Sequence, residues 1–175
     1  MQNTANPTAS ASLAWCGHDT PIGHLILAAS VAGLVSVALP PQDGHPAPTP
    51  PEGQLDTSPQ AAVLTAAQRQ LDEYFAGRRR VFTLPLDVRG TPFQRRVWEV
   101  VATIAYGHTR TYGEVAVRIG QPTAMRAVGA ANGQNPLPLV IPCHRVVGRG
   151  GHLVGYGGGL ALKQALLVRE GALLV

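Results

Sequence analysis

TYGEVAVRIG (111–120), QPT (121–123) and AMRAVGAANG (124–133) spell a helix, a tight turn and a second helix. Thr111-x-x-Glu114 is a capping box, in which hydroxyl and carboxylate satisfy two of the amide groups a helix start leaves open. It opens a short helix with Val115 and Ile119 facing inward and Gly120 as its stop. Gln121-Pro122-Thr123 connects it to a helix from about Ala124 to Asn132, stopped by Gly133. This order is the helix-turn-helix pattern, which also occurs in helical proteins that bind no nucleic acid. The second helix is unusual for a reader of base edges, because its single charge is Arg126 and it is otherwise small, with Ala127, Gly129, Ala130 and Ala131. It either packs closely on another helix or approaches a shallow groove without reading sequence.

Upstream, Thr91-Pro92 caps a helix whose stripe is Phe93, Val97, Val100, Val101 and Ile104, ending at Gly107. Before it, Val81–Leu86 reads as a strand. Ser58-Pro59 caps a helix carrying Leu64, Ala67, Leu71, Tyr74 and Phe75 at helical spacing, with Gly77 as its stop. Pro40 to Pro59 is a Pro-rich loop, and Ile22–Ala29 with Gly33–Leu39 forms a β-hairpin. Downstream, Asn135-Pro136-Leu137-Pro138 is a turn and Leu139-Val140-Ile141 a strand-like run. Val146 to His152 is a flexible turn, and Gly155-Tyr156-Gly157-Gly158-Gly159 is a hairpin tip or a loop that lets a flat ring pass close to the backbone. A last helix covers about Leu160 to Arg169, with Leu162, Leu166 and Leu167 inward. The elements divide into an α/β unit over residues 1–88 and a helical unit over 89–175.

The 175 residues can bury a core, and 45% apolar residues exclude wholesale disorder. Two cysteines supply neither a disulfide framework nor a Cys₄ or Cys₃His zinc site. Net charge is −3 over residues 1–88 and +7 over 89–175. The basic half either meets a polyanion or carries solvated surface charge. Met1 to Ala14 has no basic stretch before an apolar core, so no signal peptide is expected. The uncharged run 20–42 is too interrupted for a membrane span. Cytoplasmic residence follows as the expectation.

Pro142-Cys143-His144-Arg145 carries the chemistry. Thiolate, not thiol, is the nucleophile, and nearby His or Arg favours it. Pro142 imposes an extended entry, so Cys143 is expected where a strand gives way to a turn. Neighbouring side chains on an extended chain point apart, so Cys143 and His144 either touch directly or meet through a bridging water. Glu170 closes the last helix, where the dipole disfavours an anion unless a cation or His compensates. From that position Glu170 either orients His144 or is a solvated surface carboxylate.

The run Ile141-Pro142-Cys143-His144-Arg145-Val146 resembles the active-site signature of the O6-alkylguanine-DNA alkyltransferases. Arg126 to Gly133, Asn135-Pro136, Gly155-Tyr156 and Arg169-Glu170-Gly171 agree with it, and the likeness covers about residues 80–172 closely. The resemblance implies an α/β (α+β) protein with an N-terminal ribonuclease H-like domain and a C-terminal winged helix-turn-helix domain. It implies single-turnover repair: the alkyl group of O6-alkylguanine in double-stranded DNA passes irreversibly to Cys143 after the base flips out, with O4-alkylthymine left open as a second substrate. His144 would take the thiol proton, Glu170 would orient it, and Asn135 would hold the turn. Tyr112 would protonate N3 of the leaving guanine. Arg126 would fill the emptied stack, and Ala127, Ala130, Arg145, Gly155, Tyr156 and Gly157 would meet the DNA. No cofactor, metal or membrane is implied, and a monomer is expected. Gly157 departs from relatives with a larger residue there, and Cys16 with His18 is no zinc set. A damage sensor is disfavoured by the presence of Cys143, and a cysteine hydrolase leaves the helix pair unexplained.

Overall fold

A computed structural model of the chain describes residues 13–40 and 59–173. Most of the expected Pro-rich loop, the Ser58 cap and the first twelve residues lie outside the described residues.

The N-terminal unit is an antiparallel sheet, β1 (Ala14–Thr20), β2 (Gly23–Ser30) and β3 (Gly33–Ala38), in that order. The expected hairpin is β2–β3, pairing Leu27 with Val37. The strand before it was not anticipated, because AWCGHDT lacks a sustained alternation of apolar and polar residues. Cys16 on β1 is packed in the core, where burial pushes its thiol up to about 11. Helix α1 (Pro59–Phe75) lies on the sheet through Leu64, Ala67, Leu71 and Tyr74, all fully buried. Each large side chain of that stripe contributes roughly 1.5–3 kcal/mol by leaving water.

The expected strand over Val81–Leu86 is irregular chain with one parallel bridge, Leu34 to Leu86. Leu34 donates to the Pro85 carbonyl and accepts from the Asp87 amide, each at 2.9 Å. Pro85 has no N–H with which to extend a ladder.

In the C-terminal unit, Thr91 caps α2 (Pro92–Ala102) and Gln94 completes the box. This helix stops short of Gly107. Thr103 turns its hydroxyl onto the Val100 carbonyl at 2.7 Å, a local bond that competes with continuing the helix. The helix-turn-helix is α3 (Tyr112–Arg118) and α4 (Met125–Gly133). Thr111 and Glu114 form the expected capping box, with the Thr111 amide donating to the Glu114 carboxylate at 2.6 Å. Gly133 is the last residue of α4 rather than its stop. The Trp98 indole donates to the Ala131 carbonyl at 2.8 Å and ties α2 to α4.

Two short strands, β4 (Arg110–Thr111) and β5 (Val146–Val147), pair in parallel, and α5 (Gly159–Arg169) closes the chain. Leu139-Val140-Ile141 is turn, not strand, and Leu139 has φ of 72°. That left-handed conformation costs about 1–2 kcal/mol in a residue with a Cβ. Complete burial of the Leu139 side chain holds it there. Among the described residues, no helix is long and apolar enough to cross a membrane.

Candidate active site

Cys143 opens a single 3₁₀ turn, Cys143–Arg145, rather than ending a strand. Pro142 enters at φ −79° and ψ 66°, and the Arg145 amide donates to its carbonyl at 2.9 Å. The opposed-side-chain argument for an extended chain therefore does not apply here. Asn135 fixes this turn from behind. Its amide donates to the Ile141 carbonyl at 2.7 Å, and its own carbonyl accepts from the Leu137 amide at 3.0 Å. From α4, Asn132 donates to the Cys143 carbonyl at 3.2 Å. Burial pushes the Cys143 thiol up, and the Asn135 amide and the Lys163 ammonium oppose that in part. The resting group is a thiol, so the proton must leave as the sulfur reacts.

His144 and Glu170 are both buried, and the imidazole Nε2 lies 2.9 Å from Glu170 Oε1. The same carboxylate accepts from Arg145 Nε at 2.7 Å on its other oxygen. Burial alone raises the Glu170 carboxyl, but the hydrogen bonds from His144 and Arg145 with their charge outweigh it and hold it at about 2. Burial lowers the His144 imidazole further than Glu170 raises it, and Arg145 adds to the lowering. The neutral ring gives its one N–H to Glu170. Nδ1 is then the acceptor, and it has no protein partner among the described residues. A carboxylate, a guanidinium and a neutral imidazole thus leave one lone pair available for a proton.

Cys143 opens into a cavity of about 300 Å³ walled by Asn135, Pro138 and Tyr156, with Leu39 and Pro40 reaching in from beyond β3. The Val37 amide donates to the Pro136 carbonyl at 2.8 Å, which docks β3 on the turn that carries the cysteine. Gly155, Tyr156 and Gly157 also line a neighbouring groove of about 1180 Å³ between α3, α4 and the loop before α5. Arg126, Ala127 and Ala130 are exposed on α4, and Arg126 lines that groove. Tyr112 stands in it half-buried, with its hydroxyl 3.4 Å from the Val154 carbonyl and kept protonated by burial. The Tyr156 hydroxyl is buried without a protein partner among the described residues.

One expected DNA contact is displaced. Arg145 is 5% exposed, bound to Glu170 and donating to the Ile104 carbonyl at 2.6 Å, so its guanidinium faces the interior. The 3₁₀ turn swings it inward beside the anion at the end of α5. Two residues were missed. Lys163 is fully buried and donates to the carbonyls of Val146 at 2.6 Å and Val154 at 2.8 Å, joining β5 to the pocket loop. Burial lowers its ammonium to about 8, against the pull of Cys143. Its spacing of three and four from Leu166 and Leu167 put it on the inward face, a signal present in the sequence. Tyr74 reaches Glu170 from α1, and its helical spacing predicted only packing.

The DNA-binding domain profile of 6-O-methylguanine DNA methyltransferase matches residues 92–172, and the ribonuclease-like domain profile of the same family matches residues 14–88. The chain is 47% identical over 152 residues to the methylated-DNA–protein-cysteine methyltransferase of Mycobacterium tuberculosis, covering 87% of this chain and 88% of that one. It is 40% identical over 150 residues to the constitutive methylated-DNA–protein-cysteine methyltransferase of Bacillus subtilis, covering 86% and 90%. The crystal structure of Mycobacterium tuberculosis OGT in complex with DNA superposes with a TM-score of 0.77 at 44% identity, over 90% of this chain and 92% of that one. Both units of the chain, the one that carries the buried thiol and the one packed behind it, thus place it in the 6-O-methylguanine DNA methyltransferase family.

Proposed function

We propose that this chain repairs double-stranded DNA by moving the alkyl group of O6-alkylguanine onto Cys143, once per molecule. One observation carries this reading: the Cys143 thiol lies in a cavity that shares the wall Gly155-Tyr156-Gly157 with the groove of the helix-turn-helix. An O6-alkyl group lies on the pairing edge of guanine, so the base must leave the stack to meet a sulfur at that depth. Flipping costs a few kcal/mol, less for a mispaired base. The Cys143 proton passes to His144 Nδ1, through a water if the gap requires one, and Glu170 stabilises the imidazolium. The sulfur attacks the alkyl carbon, a C–S bond forms, and the C–O6 bond breaks with its electron pair leaving on the guanine. Tyr112 neutralises the leaving base by donating its hydroxyl proton to N3. The product is a thioether, which offers no leaving group for turnover. A reactive thiol is kept reduced in a reducing compartment, in keeping with the cytoplasm.

The test is mass spectrometry after exposure to a duplex carrying one methylated guanine. A single methyl on the peptide containing Cys143 is expected, at one per protein molecule. Label elsewhere, or repeated turnover, overturns the assignment.

Arg126, exposed at the groove, is proposed to fill the gap left by the flipped base. Arg126→Ala is then expected to slow repair in duplex DNA about tenfold or more, since unstacking is worth a few kcal/mol. Reaction with free O6-alkylguanine stays near the parent rate. Equal losses on both substrates remove this role.

A further inference from the structure

Glu170 receives a hydrogen bond from outside the C-terminal unit. Tyr74, in the last turn of α1, is fully buried, and its hydroxyl donates to Glu170 Oε1 at 2.7 Å. That oxygen also faces His144 Nε2 and Arg145, each at 2.9 Å. The Tyr74 ring sits among Phe75, Phe82 and Tyr106, with centroids 5.2, 5.6 and 6.2 Å away. In such a cluster a phenylalanine would pack as well, and a buried hydroxyl is costly unless it has a partner. The partner here is the carboxylate that holds the imidazole.

We propose that Tyr74 is a positioning residue for the proton-accepting step. Its hydroxyl fixes Glu170 Oε1 opposite His144 and draws charge from that oxygen, which adds to the burial that already keeps the imidazole neutral. The N-terminal unit then contributes a positioning hydroxyl to the active site, besides the Leu39 and Pro40 that line its cavity. This inference rests on His144 acting as the base in the proposed function. Several groups face the His144–Glu170 pair. Cys143 and Arg145 come from the 3₁₀ turn, Lys163 from α5, Tyr106 from the chain after α2, and Tyr156, whose ring centroid is 6.4 Å from that of His144, from the pocket loop. Of these, Arg145 shares the Glu170 oxygens with His144, as Tyr74 does. Arg145 is a permanent cation, whereas the Tyr74 hydroxyl can be removed without a change of charge.

The direction of the effect follows from charge. Without the hydroxyl, more of the Glu170 charge falls on His144, the imidazolium is favoured, and less neutral base is present at a given acidic pH. Tyr74→Phe is therefore expected to slow single-turnover methyl transfer by about threefold to tenfold on the acid limb, where His144 is mostly protonated. The acid limb of its pH–rate profile moves up by roughly half to one pH unit. The difference narrows above pH 8, and affinity for undamaged duplex does not change. Tyr74→3-fluorotyrosine keeps the ring and offers a stronger donor, and its acid limb is expected to move down. Limbs that coincide with the parent's in both variants overturn the proposal, as does a uniform loss of rate with an unshifted limb. If Tyr74→Phe does not fold, the fluorotyrosine protein decides by the same criterion. Failure of the proposed transfer to Cys143 is separate, because the parent protein itself would then acquire no methyl group.

Discussion

Cys143→Ala is expected to acquire no methyl label from alkylated duplex under conditions where the parent is labelled completely, while its affinity for the same DNA changes by less than about threefold. The loss is total because, among the described residues, no second nucleophile is placed to substitute. Cys16 is packed in the core on β1, and its thiol is pushed up to about 11. Lys163 is held against the carbonyls of Val146 and Val154. Binding persists because the groove residues Arg110, Tyr112, Arg126 and Arg149 do not rest on the sulfur. The turn around position 143 is held by Asn132 and Asn135 through backbone carbonyls, which alanine retains. Removing one sulfur from a core site is a small truncation, expected to cost on the order of 1 kcal/mol. Single-turnover transfer with a labelled methyl group and a binding titration check both halves. Label in the alanine protein removes Cys143 as acceptor.

How much of this was legible depends on whether a residue's partner is near in sequence. Thr111 and Glu114 form their capping box within one turn, and the helix-turn-helix could be read from them with Gly120 and Pro122. Glu170 also declared itself locally, as an anion at a helix end that needs a compensating donor, and His144 and Arg145 supply it. Where the partner is far away, the sequence is silent. Tyr74 and Glu170 are 96 positions apart, and Arg145 finds Ile104 across 41. A tyrosine on a helical stripe looks like packing, and an arginine beside a reactive cysteine looks like a contact for DNA. Val81–Leu86 and Leu139–Ile141 failed differently. Both have strand composition, but Pro85 removes a donor, and Leu139 takes a left-handed turn paid for by burial of its side chain.

Glu170→Gln is expected to be the most damaging substitution that keeps the sulfur. The carboxylate accepts from Tyr74 at 2.7 Å, His144 at 2.9 Å and Arg145 at 2.7 and 2.9 Å. A glutamine of the same shape has one oxygen and one N–H₂ group, so one set of donors meets another donor. Arg145 keeps its charge but loses the anion that balances it, and an uncompensated buried charge costs about 3–5 kcal/mol. Loss of the anion that stabilises imidazolium is expected to slow transfer by about a hundredfold to ten-thousandfold, the upper end being what removal of the orienting carboxylate costs in a Ser-His-Asp triad. The acid response separates the two effects. Glu170 titrates at about 2 in the folded chain, below its ordinary value, so its contribution is complete above about pH 4.5 and is lost as pH falls towards 2. His144 is lowered by burial, so it too loses stability on acidification, beginning below about pH 6.5. Urea unfolding of the parent is therefore expected to weaken in two stages, and Glu170→Gln, starting lower, lacks the second. If the glutamine protein matched the parent in both transfer rate and acid unfolding, the buried carboxylate would be neither the partner of His144 nor the counter-ion of Arg145.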